Sequence, residues 1–159
     1  MPASDRQPRT LEFRIVESDV VAVADLLEER APKTCALIWE RLPVEGRLIH
    51  GMYSGPELFI ILDGFPEVGP ENQVSRPLPG DIGYFHQNPG LFASSPHEVA
   101  ELVYIYDRGV SIKGADGHDS WVNLFAQFRP DSREAFLAAS KLVRKEGPFT
   151  LRIERGSED

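Results

Sequence analysis

The chain reads as a mainly-β protein of the α+β type, closed into a barrel or a strongly curled sheet, with two helices set among the strands. Three observations carry that reading. Alternating apolar and polar residues recur in segments from Leu11 to Arg155, the period of half-buried strands. Apolar residues at three- and four-residue steps occur in two stretches, the period of a helix face. Gly- and Pro-rich stretches punctuate the strands, yet none is long enough to separate two cores. Many strands with few helices must curl to bury one face.

In LEFRIVE, Leu11, Phe13 and Ile15 face one way and Glu12, Arg14 and Glu17 mostly the other, predicting a first strand. DVVAVADLL predicts a second, although VVAVADLLEER could also open a helix. Ala31-Pro32 interrupts, and proline suits the first turn of a helix. Cys35, Ile38, Trp39 and Leu42 then form an apolar stripe, and Pro43 helps stop the helix. GRLIHGMYSG predicts a strand with Leu48, His50, Met52 and Ser54 on one side and Ile49, Gly51 and Tyr53 on the other. Glu57 to Leu62 continue as an apolar run after Gly55-Pro56.

Residues 63–80 hold Pro66, Pro70, Pro77 and Pro79 among glycines and predict an ordered surface loop. DIGYFHQ is expected as a strand, NPGLFASSPH as a loop and EVAELVYIYDRG as the longest alternating strand. Residues 110–120 are rich in Gly and Asp, and WVNLFAQF returns as a strand. Asp131 with Glu134 matches a capping box, opening a helix whose apolar side is Phe136, Leu137, Leu142 and Val143 and which Gly147-Pro148 ends. FTLRIER closes the chain as a strand. The expectation is a single domain over residues 1–159, with its core at about 10–155.

Composition narrows the function classes. Seventeen Lys and Arg against 25 Asp and Glu give a net charge of −8, which disfavours nucleic acid and anionic membranes as partners. A single cysteine, Cys35, excludes an intrachain disulfide and suits a reducing compartment. The polar start MPASDRQPRT lacks the apolar run of a signal peptide, and no stretch approaches a membrane span. A cytoplasmic, bacterial-type domain is the expectation.

Several phrases together resemble the cyclophilin-like superfamily. APKTC at 31–35 resembles the phrase with which cyclophilins begin the helix that plugs their barrel. A helix ending in Leu42-Pro43, LIHGMYSG at 48–55, PGDIGYF at 79–85 and NLFA at 123–126 are similar to a bacterial family of unknown function that shares this fold. The resemblance spans roughly residues 10–155. Prolyl isomerases of the fold place an arginine directly after a histidine, whereas His50 is followed by Gly51 and Met52. The isomerase phrase Phe-x-x-Gln-Gly-Gly is absent as well. Lowering a rotation barrier of roughly 18–20 kcal/mol requires such placed donors. Prolyl isomerase activity is therefore not expected, since a fold does not carry an activity by itself.

The four histidines, His50, His86, His97 and His118, form no H-x-H pair and no helical pair, so neither a metal site nor a cofactor is expected. Ser54 lies four residues after His50, beyond direct reach along one strand, and the G-x-S-x-G elbow is missing. Cys35 is expected to pack as a small hydrophobe. Aromatic residues Tyr53, Tyr84, Phe85, Phe92 and Trp121 crowd the loops. Polar-tipped rings beside an apolar barrel suit a small pocket with a few orienting groups.

His50, Met52, Tyr53, Ser54, Tyr84, His86 and Asn123 are accordingly the candidate ligand-binding residues, in an unfilled hollow beside His50. Asn123 is read either as a pocket amide or as securing a turn, with the turn slightly favoured. The expected function is a barrel that binds a small, partly apolar molecule as a homo-oligomer. The alternatives are an enzyme acting on a small amide or carboxylate, with His50 or His86 as general base, and an accessory interaction protein. Relatives of this fold occur in amide-hydrolysing and kinase-inhibiting systems, which is what the last reading rests on.

Overall fold

The computed structural model describes residues 6–88, 98–114 and 117–157. Its strands run β1 Thr10–Ile15, β2 Val20–Leu26, β3 Val44–Arg47, β4 Ile49–His50, β5 Glu57–Ile61, β6 Gln73–Val74, β7 Asp81–Gln87, β8 Val99–Ile105, β9 Val122–Phe128 and β10 Thr150–Arg155. Helix α1 spans Pro32–Arg41, α2 Pro130–Ser140 and the single turn α3 Val143–Glu146. The strands form one antiparallel sheet in the order β3-β10-β1-β2-β9-β7-β8-β5-β4, with β6 added on β9.

The two ends of that order are nearly the same piece of chain. β3 pairs with β10 and β4 with β5, and Leu48 alone separates β3 from β4. The Leu48 N–H donates to Phe149 O at 2.9 Å. A single bent segment thus joins both sheet edges and nearly closes the barrel, which leaves little edge for foreign pairing.

Alternation fills the inside. Leu11, Phe13 and Ile15 of β1 face Ala22, Ala24 and Leu26 of β2, Leu102 and Tyr104 of β8, and Leu151 and Ile153 of β10 in one buried cluster. Alanines opposite large rings let the layers interdigitate. Phe13 meets Phe128 edge-on with centroids 4.9 Å apart, and Phe136 of α2 lies 5.1 Å from Phe128, geometries that favour aromatic rings. Helix α1 adds Thr34, Cys35 and Ile38 to the buried set. The Cys35 thiol donates to Phe125 O at 3.3 Å, and burial pushes it up to about 12. It packs as the sequence predicts.

Several expectations change. The strand expected over 46–55 breaks at Leu48 and ends at His50. Residues 51–56 form a turn instead, closed by Gly51 N–H to Glu57 O at 3.1 Å and Glu57 N–H to Gly55 O at 2.8 Å, with Gly55 at φ 105°. Leu48, His50, Met52 and Ser54 therefore share no strand face. The alternative helix at VVAVADLLEER loses to β2. The 63–80 loop contains the short strand β6.

Helix α2 begins at Pro130, with Arg129 at the cap and no side-chain cap bond, so Asp131 sits in the first turn and does not cap. Proline claims the first helical position and moves the start by two residues. Leu142 lies beyond the end of α2 and is exposed, outside the apolar face. No helix among the described residues is long and apolar enough to cross a membrane. Most of the loop expected at 88–97, with Phe92 and His97, lies outside the described residues.

Candidate functional site

The sequence-derived site residues fall in two places. Tyr84, His86 and Asn123 line one small cavity of about 110 Å³, together with Glu67, Gly69, Gln73 and Trp121. His50, Met52, Tyr53 and Ser54 lie on the 50–57 turn and line none of the four main concavities of the described residues. The barrel interior is filled by its own side chains.

Three polar side chains pull the 66–71 segment over the cavity. Tyr84 Oη donates to Pro66 O at 2.6 Å. Asn88 Nδ2 donates to Glu67 Oε2 at 3.0 Å. Asn123 Nδ2 donates to Gly69 O at 2.8 Å and to Thr34 Oγ1 at 3.2 Å, while its Oδ1 accepts the Glu71 N–H at 3.2 Å. Glu71 in turn accepts the N–H groups of Thr34 at 2.8 Å and Lys33 at 3.1 Å. A carboxylate from a distant loop thereby caps α1, whose own N-cap residue is Ala31. Burial opposes the Glu71 charge, but those N–H groups hold its carboxyl below the usual range. Asn123 secures this loop and also forms part of the cavity wall.

His86 is the unusual member. Its side chain is 6% exposed, and its Nε2 lies 2.6 Å from Glu98 Oε1. An ionised carboxylate can only accept, so Nε2–H donates, and in the neutral tautomer with that bond the lone pair is on Nδ1. Nδ1 is buried and has no partner among the described residues; neither has Nε2 of the adjacent Gln87. Buried polar atoms are nearly always paired, and leaving one orphaned costs about 1–3 kcal/mol. Tyr84 stacks beside the ring at a centroid distance of 6.5 Å, and burial pushes its phenol up to about 12. Trp121 lies half exposed at the rim.

On the turn, His50 Nδ1 lies 2.7 Å from Gly51 O and Nε2 2.6 Å from Tyr106 Oη. The carbonyl only accepts, so Nδ1–H donates and Nε2 accepts from the tyrosine. Burial first, then Arg144, keeps His50 below the ordinary imidazole value. With both nitrogens engaged, His50 has no lone pair to offer as a base. Met52 and Tyr53 project into solvent, while Ser54 is buried. Ser54 Oγ accepts the Lys113 N–H at 2.9 Å.

Glu57, Glu98 and Tyr106 were not singled out from sequence. Their signal is spatial: Glu57 opens an apolar run, and Glu98 and Tyr106 flank a strand far from the histidines they meet. The largest of these four concavities, about 580 Å³, is lined by Arg6, Arg9, Trp39 and Arg129 among others. Arg9 is already paired with Glu28 and Arg129 with Asp25. Among the described residues, no group of three His, Cys, Asp or Glu side chains is placed to hold a metal ion.

A nearly closed antiparallel barrel, with helix α1 opening on Pro32 and packing Thr34, Cys35 and Ile38 inward, defines a cyclophilin-like fold. The family model described as a protein of unknown function, DUF3830, matches residues 13–154, and the chain belongs to that family. McbB, solved in complex with tryptophan, is similar in structure with a TM-score of 0.68 at 19% identity, covering 94% of this chain and 45% of that one. The chain thus spans less than half the length of McbB. A hypothetical protein from Archaeoglobus fulgidus, AF2241, gives a TM-score of 0.59 at 19% identity over 97% of this chain and 100% of its own. A Mimivirus cyclophilin gives 0.55 at 11% identity over 98% and 90%. Likeness at these identities establishes the fold. No curated protein sequence matches the chain significantly.

Proposed function

We propose that this protein is a small-molecule-binding barrel without prolyl isomerase activity, and that its ligand sits in the cavity of Tyr84, His86, Trp121 and Asn123. The observation that carries the reading is the buried His86 Nδ1 without a partner, aligned by Glu98. A ligand donating an N–H or O–H to Nδ1 removes the orphan, and Trp121 offers an apolar surface at the rim. A cavity of about 110 Å³ takes only a small molecule or the head of a larger one. The turn after His50, with Gly51 where isomerases of the fold carry arginine, supports the absence of isomerase chemistry.

The carboxylate–imidazole pair favours a second reading, an enzyme on a small amide or carboxylate with His86 as general base. His50 does not fill that role, since Tyr106 occupies its lone pair.

Ligand-observed NMR with small primary amides and alcohols tests the binding reading, with tryptophan included because McbB holds it. Saturable binding that disappears in His86→Phe is expected. Equal binding by His86→Phe, or acceleration of a Xaa-Pro peptide by the wild type, would overturn the proposal. A neutral-pH inflection in turnover of a fragment amide, absent in His86→Phe, would select the enzyme.

A further inference from the structure

The concavity of about 580 Å³ shares no lining residue with the cavity of Tyr84 and His86. It forms where the segment before β1 meets the segment after β10. Register brings the two together, since Leu11 pairs with Arg155 and the Gly156 N–H donates to Thr10 O at 2.8 Å. A Cβ at Gly156 would run into Thr10 Oγ1, so glycine lets the segments close up. Arg6, Arg9 and Arg129 line the hollow with Trp39, and Glu12 is the one carboxylate on its wall among the described residues.

Three guanidiniums around one hollow stand out in a chain of net charge −8. Two of them are fixed. Arg9 donates through Nε to Glu28 at 2.6 Å and lies over the Trp39 ring at 4.4 Å, and Arg155 stacks on the same ring at 4.7 Å. Arg129 donates through Nε to Asp25 at 2.9 Å, and its backbone N–H reaches Val23 O at 2.8 Å where α2 begins. A guanidinium carries five N–H donors, so a bond at Nε holds it in place without exhausting it. Glu12 is engaged by Arg14 at 2.9 Å. Arg6 is exposed and forms no ion pair among the described residues, which makes it the uncompensated charge of the hollow.

Planar guanidiniums match the two oxygens of a carboxylate, and Pro8, Val23 and Trp39 supply apolar wall in the same hollow. Its volume suits a small organic molecule. We propose that this hollow is a second binding site, for a small organic monocarboxylate whose charged head meets Arg6 and Arg129 and whose apolar body lies against Trp39. Charge decides the class. Asp25 and Glu28 already offset Arg129 and Arg9, so a single negative charge on the guest balances Arg6. A neutral guest leaves Arg6 unmet, a cation is repelled, and a second negative charge has no partner.

Benzoate is the probe, with benzyl alcohol, benzylamine and inorganic phosphate as controls, all at one ionic strength so that screening stays constant. Each is titrated into the full chain and followed by amide and indole N–H chemical shifts. Saturable benzoate binding that shifts Arg6, Arg9, the Trp39 indole and Gly156 is expected, with the alcohol and the amine inert and phosphate about tenfold weaker. Arg6→Gln removes the uncompensated charge at an exposed position and should lose about tenfold in affinity. Arg129→Lys keeps the charge without the planar fork and should lose severalfold. No saturation by benzoate, benzyl alcohol binding as tightly, or unchanged affinity in Arg6→Gln would each overturn the site. So would shifts confined to Tyr84, His86 and Asn123, or phosphate binding as tightly as benzoate. Should Arg129→Lys not fold, Arg6→Gln and the acid–alcohol contrast on the wild type decide.

Discussion

The two faces of β8 handle buried polar groups in opposite ways. Inward, Tyr104 is fully buried, yet its hydroxyl meets Ser140 Oγ at 2.8 Å, and Ser140 donates onward to Phe136 O at 2.8 Å. Nothing polar is left over, and Ala100 and Leu102 complete a dry face. Outward, Glu101 stands among Ile61, Phe85 and Val103 with no ion pair among the described residues. The inside of the barrel holds the fold together, and the polar groups left unpaired among the described residues are on the outside and at the small cavity. Satisfied and unsatisfied polar burial are separated by one residue of a strand.

The largest expected effect breaks the inner face. Phe13→Ala removes a ring that meets Tyr104, Phe128 and Phe136 and should cost about 3–5 kcal/mol, read from urea unfolding. An outer-face change such as Ile61→Ala should cost far less; equal losses would dissolve the contrast.

The next effect is carried by pH. Glu57 and Glu101 have folded pKa values raised to about 7 and about 8 from an ordinary 4.5. A raised carboxyl favours the folded state while protonated, so its contribution is complete below pH 4.5 and lost as pH rises through 7 to 8. Stability should fall by about 1–3 kcal/mol between pH 5 and 8, and Glu57→Gln should flatten part of that slope and be the more stable protein at pH 8. Melting curves across this range check it. A wild type more stable at pH 8 than at pH 5 would contradict the burial of both acids.

Gly51→Ala sharpens the same face. The new methyl must displace the Glu57 side chain, at about 1–3 kcal/mol, and the penalty should shrink when combined with Glu57→Ala. A double-mutant cycle measures that coupling.

The smallest expected effect returns to the inside. Tyr104→Phe deletes one satisfied hydrogen bond without orphaning Ser140, which still donates to Phe136 O, so about 1 kcal/mol is expected. A cost of several kcal/mol would mean that this network carries more of the fold than its geometry implies.

The candidate site was only half legible. Tyr84, His86 and Asn123 could be chosen as polar tips near strand ends, and they do meet at one cavity. His50, Met52, Tyr53 and Ser54 were joined to them on the assumption that 46–55 is one straight strand. The turn at Gly51 removes that assumption: its hydrogen bonds to β5 reverse the chain, and no period of two survives a reversal. Glu57 escaped notice because an acid at the head of an apolar run looks like an ordinary strand end.

The sequence by itself determined the strands with clear alternation, the helix that starts at Pro32, and the likeness to a cyclophilin-like barrel. Those depend on local periodicity and on proline chemistry, which act between neighbours in the chain. Only the tertiary structure decided that residues 44–50 join both edges of the sheet, that Glu71 caps α1 from 37 residues away, and which polar groups stay unmet. Pairing and desolvation depend on atoms brought together from distant positions, and a buried carboxyl or imidazole has no signature until its surroundings exist.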